Sequence, residues 1–559
     1  MENKGFLKHP QAVLLLLCLI ALLSYGQLIV EPGLYGDDPV LLAAHLQGGA
    51  DGIQRVLGWS RPYGAWVYKA ILPMLGTQVV CYQVLAILLR ILGAWVLYLA
   101  LAETHPNWRE PARWAALACL VYTGFTQQAQ SLQFLLHWTV LSVTLLSIWL
   151  MLKAEEALSQ PRQTVLRGLA CLLALGMFGT EYFIGLEVLR PALLWVKVQR
   201  KYPGRQAMAR TAAHWLPYVL LLVWMVIWRL CFADIAYPQP LLLADLAKEP
   251  MKGIPQTAAR AVSDIWLAGV AAWGSPVSYF STVGLAWQAV LAGGLAFGLL
   301  LLAASRTRSE PEKILRGNGL LLAGLGVAAM LAGGMPLWIS QTPLALTSPW
   351  SRTTLCLMVG TCMALVGAAC LLPLAWRRVL LSLLLGLSVG FQHQTSRTYL
   401  QEWENLRQIF WQLAWRAPGL QPGTLVLFEH LPISYYSANS LDPILNLTYD
   451  PQGTVTLPRY RIFEISERLG GVLPALQPGL EIRHGGFTGN TSQALVITWG
   501  ADGCLQVLEP GSSLAPGTDP LLWEARHISN PEMILPNASP PARPPEWLGA
   551  EPDHSQCTG

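Results

Sequence analysis

The sequence predicts an all-α polytopic membrane protein of about eleven transmembrane helices, with a small extracytoplasmic α/β domain near its C-terminal end. Three observations carry this. The 559 residues are 53% hydrophobic and only 13% charged, with a mean hydropathy of +0.41. Soluble domains carry about 25% charged residues. Long apolar stretches recur between residues 11 and 393 and then stop. Lysine and arginine gather in every second connecting segment, as the positive-inside rule requires of a chain that crosses and recrosses a bilayer.

Each element follows from its residues. Lys4 and Lys8 precede the apolar run Gln11–Val30, which is long enough to span and is not followed by a small-residue cleavage site. It reads as the first span, with the N-terminus cytoplasmic. Further spans are expected at 76–102, 114–126, 135–152, 164–179, 182–197, 211–233, 285–304, 317–339, 353–374 and 379–393. The basic segments then fall on one side. They hold Arg109 and Arg113; Lys153, Arg162 and Arg167; Lys197 through Arg210; Arg306 through Arg316; and Arg377 with Arg378. An odd number of spans puts residues 31–64 and everything after 394 on the opposite, extracytoplasmic side. Residues 234–284 form a second long external segment, whose amphipathic stretch Thr257–Val270 is expected to lie along the membrane surface.

The chain divides into a membrane domain, 1–394, a soluble domain, 395–508, and a tail, 509–559. Thr395–Arg416 has the pattern of an amphipathic helix leaving the membrane. Pro422–Phe428 and Ala494–Trp499 have the pattern of strands bounded by turn residues. The tail is rich in Pro, Gly and Ser and is expected to be disordered. Eight of the ten cysteines sit in apolar segments as small hydrophobes. Cys504 and Cys557 lie in the polar part, without metal-ligand spacing, and a disulfide between them is open. No basic run has the footprint of a nucleic-acid site, so a nucleic-acid partner is not expected.

The chemistry-bearing stretch is Glu31–Gly64, just beyond the first span. It holds adjacent carboxylates, Asp37 and Asp38, with Asp51, Arg55, Arg61, Trp59 and Tyr63. Such a pair can act as a general base with its orienting neighbour, or as the ligands of a divalent ion such as Mg or Mn. It can also simply cap the helix that starts at Pro39, with Asp38 as the cap and Asp37 free. Glu181 lies in a tight external turn without an obvious local partner, and an intramembrane carboxylate usually has a partner or a function. Glu187 and Arg190 are spaced to pair with each other. Arg61, Lys69 and Arg352 are the cations on the external side, fit either to hold a phosphate or to anchor in lipid headgroups. Arg90 and Arg229, inside apolar spans, read as structural pairs. His137 and His214 have no metal-ligand spacing around them.

The motifs Tyr35-Gly-Asp37-Asp38-Pro and Gly58-Trp59-Ser-Arg61-Pro62-Tyr63 sit in the first external loop of a many-span core with an external C-terminal domain. In this setting the chain resembles the GT-C superfamily of polytopic glycosyltransferases. The resemblance implies transfer of a sugar from a polyprenyl-phosphate carrier to an extracytoplasmic glycan, lipid or protein. It implies an aspartate, Asp37 or Asp38, at the catalytic centre and Arg61 near the lipid phosphate. The expected place is a bacterial plasma (inner) membrane. The rival expectation is a transporter or a flippase for lipid-linked oligosaccharides, but related halves and interrupted helices are not evident in the sequence.

Overall fold

The computed structural model describes residues 10–58, 60–231, 241–242, 248–306, 312–453, 457–469, 471–473, 475–500, 503–511 and 520–552. Lys4, Lys8, Trp59, Arg308 and Cys557 lie outside them.

Among the described residues, seven helices are long and apolar enough to cross a membrane: Val79–Thr104, Leu135–Ala154, Gly204–Arg229, Trp287–Ser305, Arg316–Ile339, Trp350–Ala369 and Leu374–Arg416. The chain is therefore a multi-pass membrane protein. The other four expected spans are also helical but short: Pro10–Tyr25, Arg109–Leu120, Gln160–Ala174 and Leu186–Val198 have 16, 12, 15 and 13 residues. At 1.5 Å per residue these reach about 18–24 Å, against a hydrocarbon core of about 30 Å. The difference arises where the chain leaves the helix inside the protein. Residues 121–134 are irregular and mostly buried, which is tolerated at membrane depth only where protein surrounds the backbone. Here Gln127 donates to the Pro349 carbonyl (2.9 Å) and to Ser351 Oγ (2.8 Å), and Arg90 donates to Gln128 Oε1 (2.8 Å).

Of the seven long helices, Trp350–Ala369 and Leu135–Ala154 have 78% and 72% of their apolar stretches buried, whereas Gly204–Arg229 has 17% and is the most exposed. Close helix approach depends on small residues. A Cβ at Gly333 would sit 2.1 Å from the Cys356 carbonyl oxygen, so the helix bearing it can touch Leu355–Ala369 only as glycine. The stretch expected to lie along the membrane surface belongs to a helical rod, Pro250–Trp266 and Ala272–Val283, joined by one π-helical turn. Tyr122 Oη donates to the Ala268 carbonyl of that turn at 2.7 Å, which ties the rod to the irregular segment.

The last span and the helix expected after it are one element of 43 residues, Leu374–Arg416. At about 65 Å it is twice the thickness of the hydrocarbon core, and it leads straight into the soluble domain. Both expected strands form there: β1 (Leu425–Phe428) and β5 (Ala494–Trp499). They join β2 (Arg461–Glu464) and β6 (Leu505–Val507) in the order β2-β1-β5-β6, with only β6 antiparallel. Between β2 and β5 lies a hairpin of β3 (Glu481–His484) and β4 (Phe487–Asn490). The parallel connection from β1 to β2 carries the helix Ala438–Tyr449, which reaches back to the membrane domain.

The tail corrects the sequence expectation. In its described part the chain is laid over the soluble domain, with hydrogen bonds Leu535 N–H to Gly419 O (2.8 Å) and Gln421 N–H to Met533 O (2.9 Å). Trp547 and Leu548 are buried. Composition alone missed these apolar anchors among the prolines. Cys504 is disulfide-bonded, and the other cysteine of the polar region is Cys557.

Candidate functional site

The loop after the first helix is built around Asp38. Gly36 opens its turn at φ +54°, where a side chain would be strained and a Cβ would lie 2.7 Å from the Gln130 side chain. The Asp38 carboxylate accepts the backbone N–H groups of Gln133 (2.7 Å) and Tyr35 (3.3 Å) and has no solvent exposure. Burial pushes its pKa up to about 8; those N–H groups pull the other way, and the neighbouring Asp37 adds to the rise. Neither aspartate caps the helix Asp38–Leu57 through its side chain, which corrects the capping reading of Asp38. Its oxygens are spent on stitching the loop to the irregular segment instead.

Asp37 is half-buried and faces a cavity of about 490 Å³. Ser440 Oγ donates to Asp37 Oδ1 at 2.9 Å, and the Gln133 amide donates to Oδ2 at 3.2 Å. Gln133 thus holds Asp38 with its backbone and Asp37 with its side chain. Ser440 stands in the first turn of Ala438–Tyr449, where its oxygen accepts the N–H of Ser437 in a capping box. That contact orients its own proton toward Asp37.

The same cavity is lined by Arg61, Glu181, Arg352 and His137. Arg61 pairs with Glu181 at 3.1 Å and lies 5.7 Å over the Tyr182 ring; Arg229 stands 3.8 Å from the other Glu181 oxygen. Glu181 therefore has the partners that its sequence neighbourhood did not reveal. Burial opposes its ionisation, but Arg61 and Arg229 outweigh it and hold the carboxyl at about 2. Arg352 stacks over Trp350 at 5.1 Å, and among the described residues no carboxylate pairs with it.

Lys69 is not part of this group. It bonds to Gln54 (2.7 Å) and lies 5.2 Å over Trp66, which is itself exposed, so it is turned away from the cavity. Asp51 and Arg55 are exposed on the loop helix. Glu187 and Arg190 form the expected pair, bidentate at 2.6 and 2.8 Å and buried. Arg90 has three aromatic rings around it, Tyr25, Phe125 and Trp138, at 4.8–5.5 Å, a cation–π box rather than an ion pair.

A divalent ion shared by Asp37 and Asp38 does not suit this geometry. Asp38 is turned into backbone donors, and both Asp37 oxygens face neutral donors. Among the described residues, no three His, Cys, Asp or Glu side chains come together in metal-binding range. Sequence reasoning missed Gln133, Ser440 and the cavity position of His137. Ser440 is 403 residues from Asp37 along the chain, and no local pattern could join them.

No protein-family model matches the chain, and no curated protein matches it in sequence.

Proposed function

We propose that the protein is an integral-membrane glycosyltransferase of GT-C type, moving a sugar from a polyprenyl-phosphate carrier to an extracytoplasmic acceptor. The observation that carries this reading is Asp37, half-buried and fixed by Ser440 and Gln133 in the wall of a cavity that also holds Arg61, Glu181 and Arg352. Asp37 takes the proton of the acceptor hydroxyl as its oxygen bonds to the anomeric carbon. The bond from that carbon to the phosphate oxygen breaks, and the electron pair leaves with the phosphate. Arg352 meets the charge that develops there. Arg61, already shared with Glu181, shapes the cavity wall and adds positive field. Attack opposite the leaving phosphate inverts the anomeric centre.

In this reading the four short helices complete about eleven crossings. The loop and the soluble domain share the extracytoplasmic side, and the Cys504 disulfide suits an oxidising compartment. Labelling of single cysteines at positions 45, 203 and 450 tests the orientation; 203 on the same side as 45 overturns it.

The test of function is transfer in vitro by the purified full chain in lipid nanodiscs, with polyprenyl-phosphate sugars as donors. Asp37→Asn should lower transfer by about 10²–10⁴ while thermal stability stays near parental. A variant that transfers at the parental rate removes Asp37 from the mechanism.

A further inference from the structure

A second cavity of about 400 Å³ adjoins the first, and the two share Val40 and Asn439 in their walls. It lies between the loop helix and the soluble domain, and its polar lining is Gln47, Asn439, Asp442, Asn446, Arg461 and His484. Asn446 is fully occupied: its amide donates to two carbonyls and its oxygen accepts two backbone N–H groups. The others are not. Among the described residues, Gln47 Oε1 and Arg461 Nε are buried without a hydrogen-bond partner, an arrangement that costs free energy unless something supplies the bond. The Asn439 oxygen accepts from the Arg461 guanidinium at 2.6 Å, and Asn439 is exposed at the junction of the two cavities.

The charges in this wall are paired. Arg461 meets Asp442 at 2.8 Å, both almost fully enclosed; burial pushes the Asp442 carboxyl up to about 7 against the pull of Arg461, and burial together with Arg461 and Arg468 lowers the pKa of His484. A wall of amides, a buried ion pair and an imidazole offers many directional hydrogen bonds and no lining carboxylate or guanidinium without a partner. That chemistry selects hydroxyl groups over phosphates or carboxylates. The helix that forms the wall, Ala438–Tyr449, is also the one whose Ser440 grips Asp37.

We infer that this second cavity is the acceptor subsite and takes an uncharged, hydroxyl-rich sugar unit, presented to Asp37 across Val40 and Asn439. The inference rests on the transferase reading for its role, but its binding chemistry is testable without it. The probe is a panel of neutral methyl glycosides, mixed with the full chain in nanodiscs and read by saturation-transfer NMR. At least one glycoside should bind the parent protein. Gln47→Leu and His484→Leu, which keep volume and remove hydrogen-bonding groups, should each weaken that binding tenfold or more, whereas Asp37→Asn should not. In turnover, both Leu variants should raise acceptor KM with kcat little changed, and hydrolysis of the polyprenyl-phosphate sugar in the absence of acceptor should stay parental.

Absence of glycoside binding to the parent, or binding unchanged in both Leu variants, overturns the subsite. Donor hydrolysis on the same preparation keeps the two failures apart. A protein that cleaves the donor but binds no glycoside retains the transferase reading and loses the subsite. One that binds glycosides through Gln47 and His484 but never cleaves a donor does the reverse.

Discussion

The two cavities share a wall and each holds an arginine–carboxylate pair, but only the first adds charges outside that pair. In the first, beside the paired Arg61 and Glu181, Asp37 is held by neutral donors and Arg352 rests on an aromatic ring, so these two charges remain without an ionic partner among the described residues. In the second, Asp442 and Arg461 spend their charges on each other at 2.8 Å. An uncompensated charge in a partly enclosed site can act on a ligand at full strength, whereas a paired one contributes mainly direction and hydrogen bonds. Under the proposed function, reaction belongs to the first cavity and recognition to the second.

After Asp37→Asn, the largest effect that would sharpen this contrast is expected at Arg352. If it meets the departing phosphate, Arg352→Ala should lower kcat/KM by about 10²-fold, as loss of one charge-stabilising donor does. Arg352→Lys should recover only part, because the planar fork is lost. Arg61→Ala should behave differently. It leaves Glu181 with only Arg229, at 3.8 Å, so thermal stability should fall along with activity. Parental donor affinity and turnover in Arg352→Ala would return that residue to the role of a headgroup anchor.

A smaller effect separates the two tasks of the helix Ala438–Tyr449. Ser440→Ala removes the 2.9 Å bond to Asp37; since hydrogen bonds to charged groups contribute roughly 1.5–3 kcal/mol, transfer should drop about tenfold or more. Ser440→Thr keeps the hydroxyl and should restore most of it. Ser437→Ala disturbs the same capping box without touching Asp37, so it should cost about 0.5–2 kcal/mol of stability and leave the rate alone. Equal rate losses in both Ala variants would mean that the helix acts on Asp37 only through its fold.

How much of this was legible in the sequence depends on distance along the chain. Asp37, Arg61, Glu181 and Arg352 stand out because each is a charge bordering apolar sequence, where chance seldom puts one. Their partners do not stand out: Gln133 is 96 residues from Asp37 and Ser440 is 403, and nothing local marks either. Lys69 has the same interfacial character as Arg61, but only the packed helix decides which face meets the cavity. The two strands were legible from their unbroken apolar runs. The tail was misread because a few anchors, Trp547 and Leu548 among them, outweigh a disordered-looking composition. The ends of the four short helices were not legible, because hydropathy counts apolar residues and cannot see where buried backbone leaves the helix.

The smallest effect concerns the other aspartate, and it asks whether Asp38 belongs to the chemistry or to the frame. In the folded protein Asp38 keeps its proton up to about pH 8, chiefly through burial; in the unfolded chain it gives it up near pH ~4. Between those values the folded state holds the extra proton, so each rise in pH favours unfolding, and this contribution to stability declines as pH climbs toward 8. Asp38→Asn has no such proton to lose. Its amide oxygen can serve only one of the N–H groups of Gln133 and Tyr35, and its NH₂ then confronts the other, a loss of about 1–3 kcal/mol. The variant should therefore melt below the parent at pH 5, with a gap that narrows toward pH 9, where the parent must bury an ionised carboxylate. Thermal melts of both proteins across that range read the difference directly. A gap that stays constant or widens with pH would mean that Asp38 is ionised throughout and that its backbone donors prevail over burial. Turnover is the second readout: if Asp38 only frames the loop, Asp38→Asn should keep most of its transfer activity at temperatures where it is folded, in contrast to Asp37→Asn.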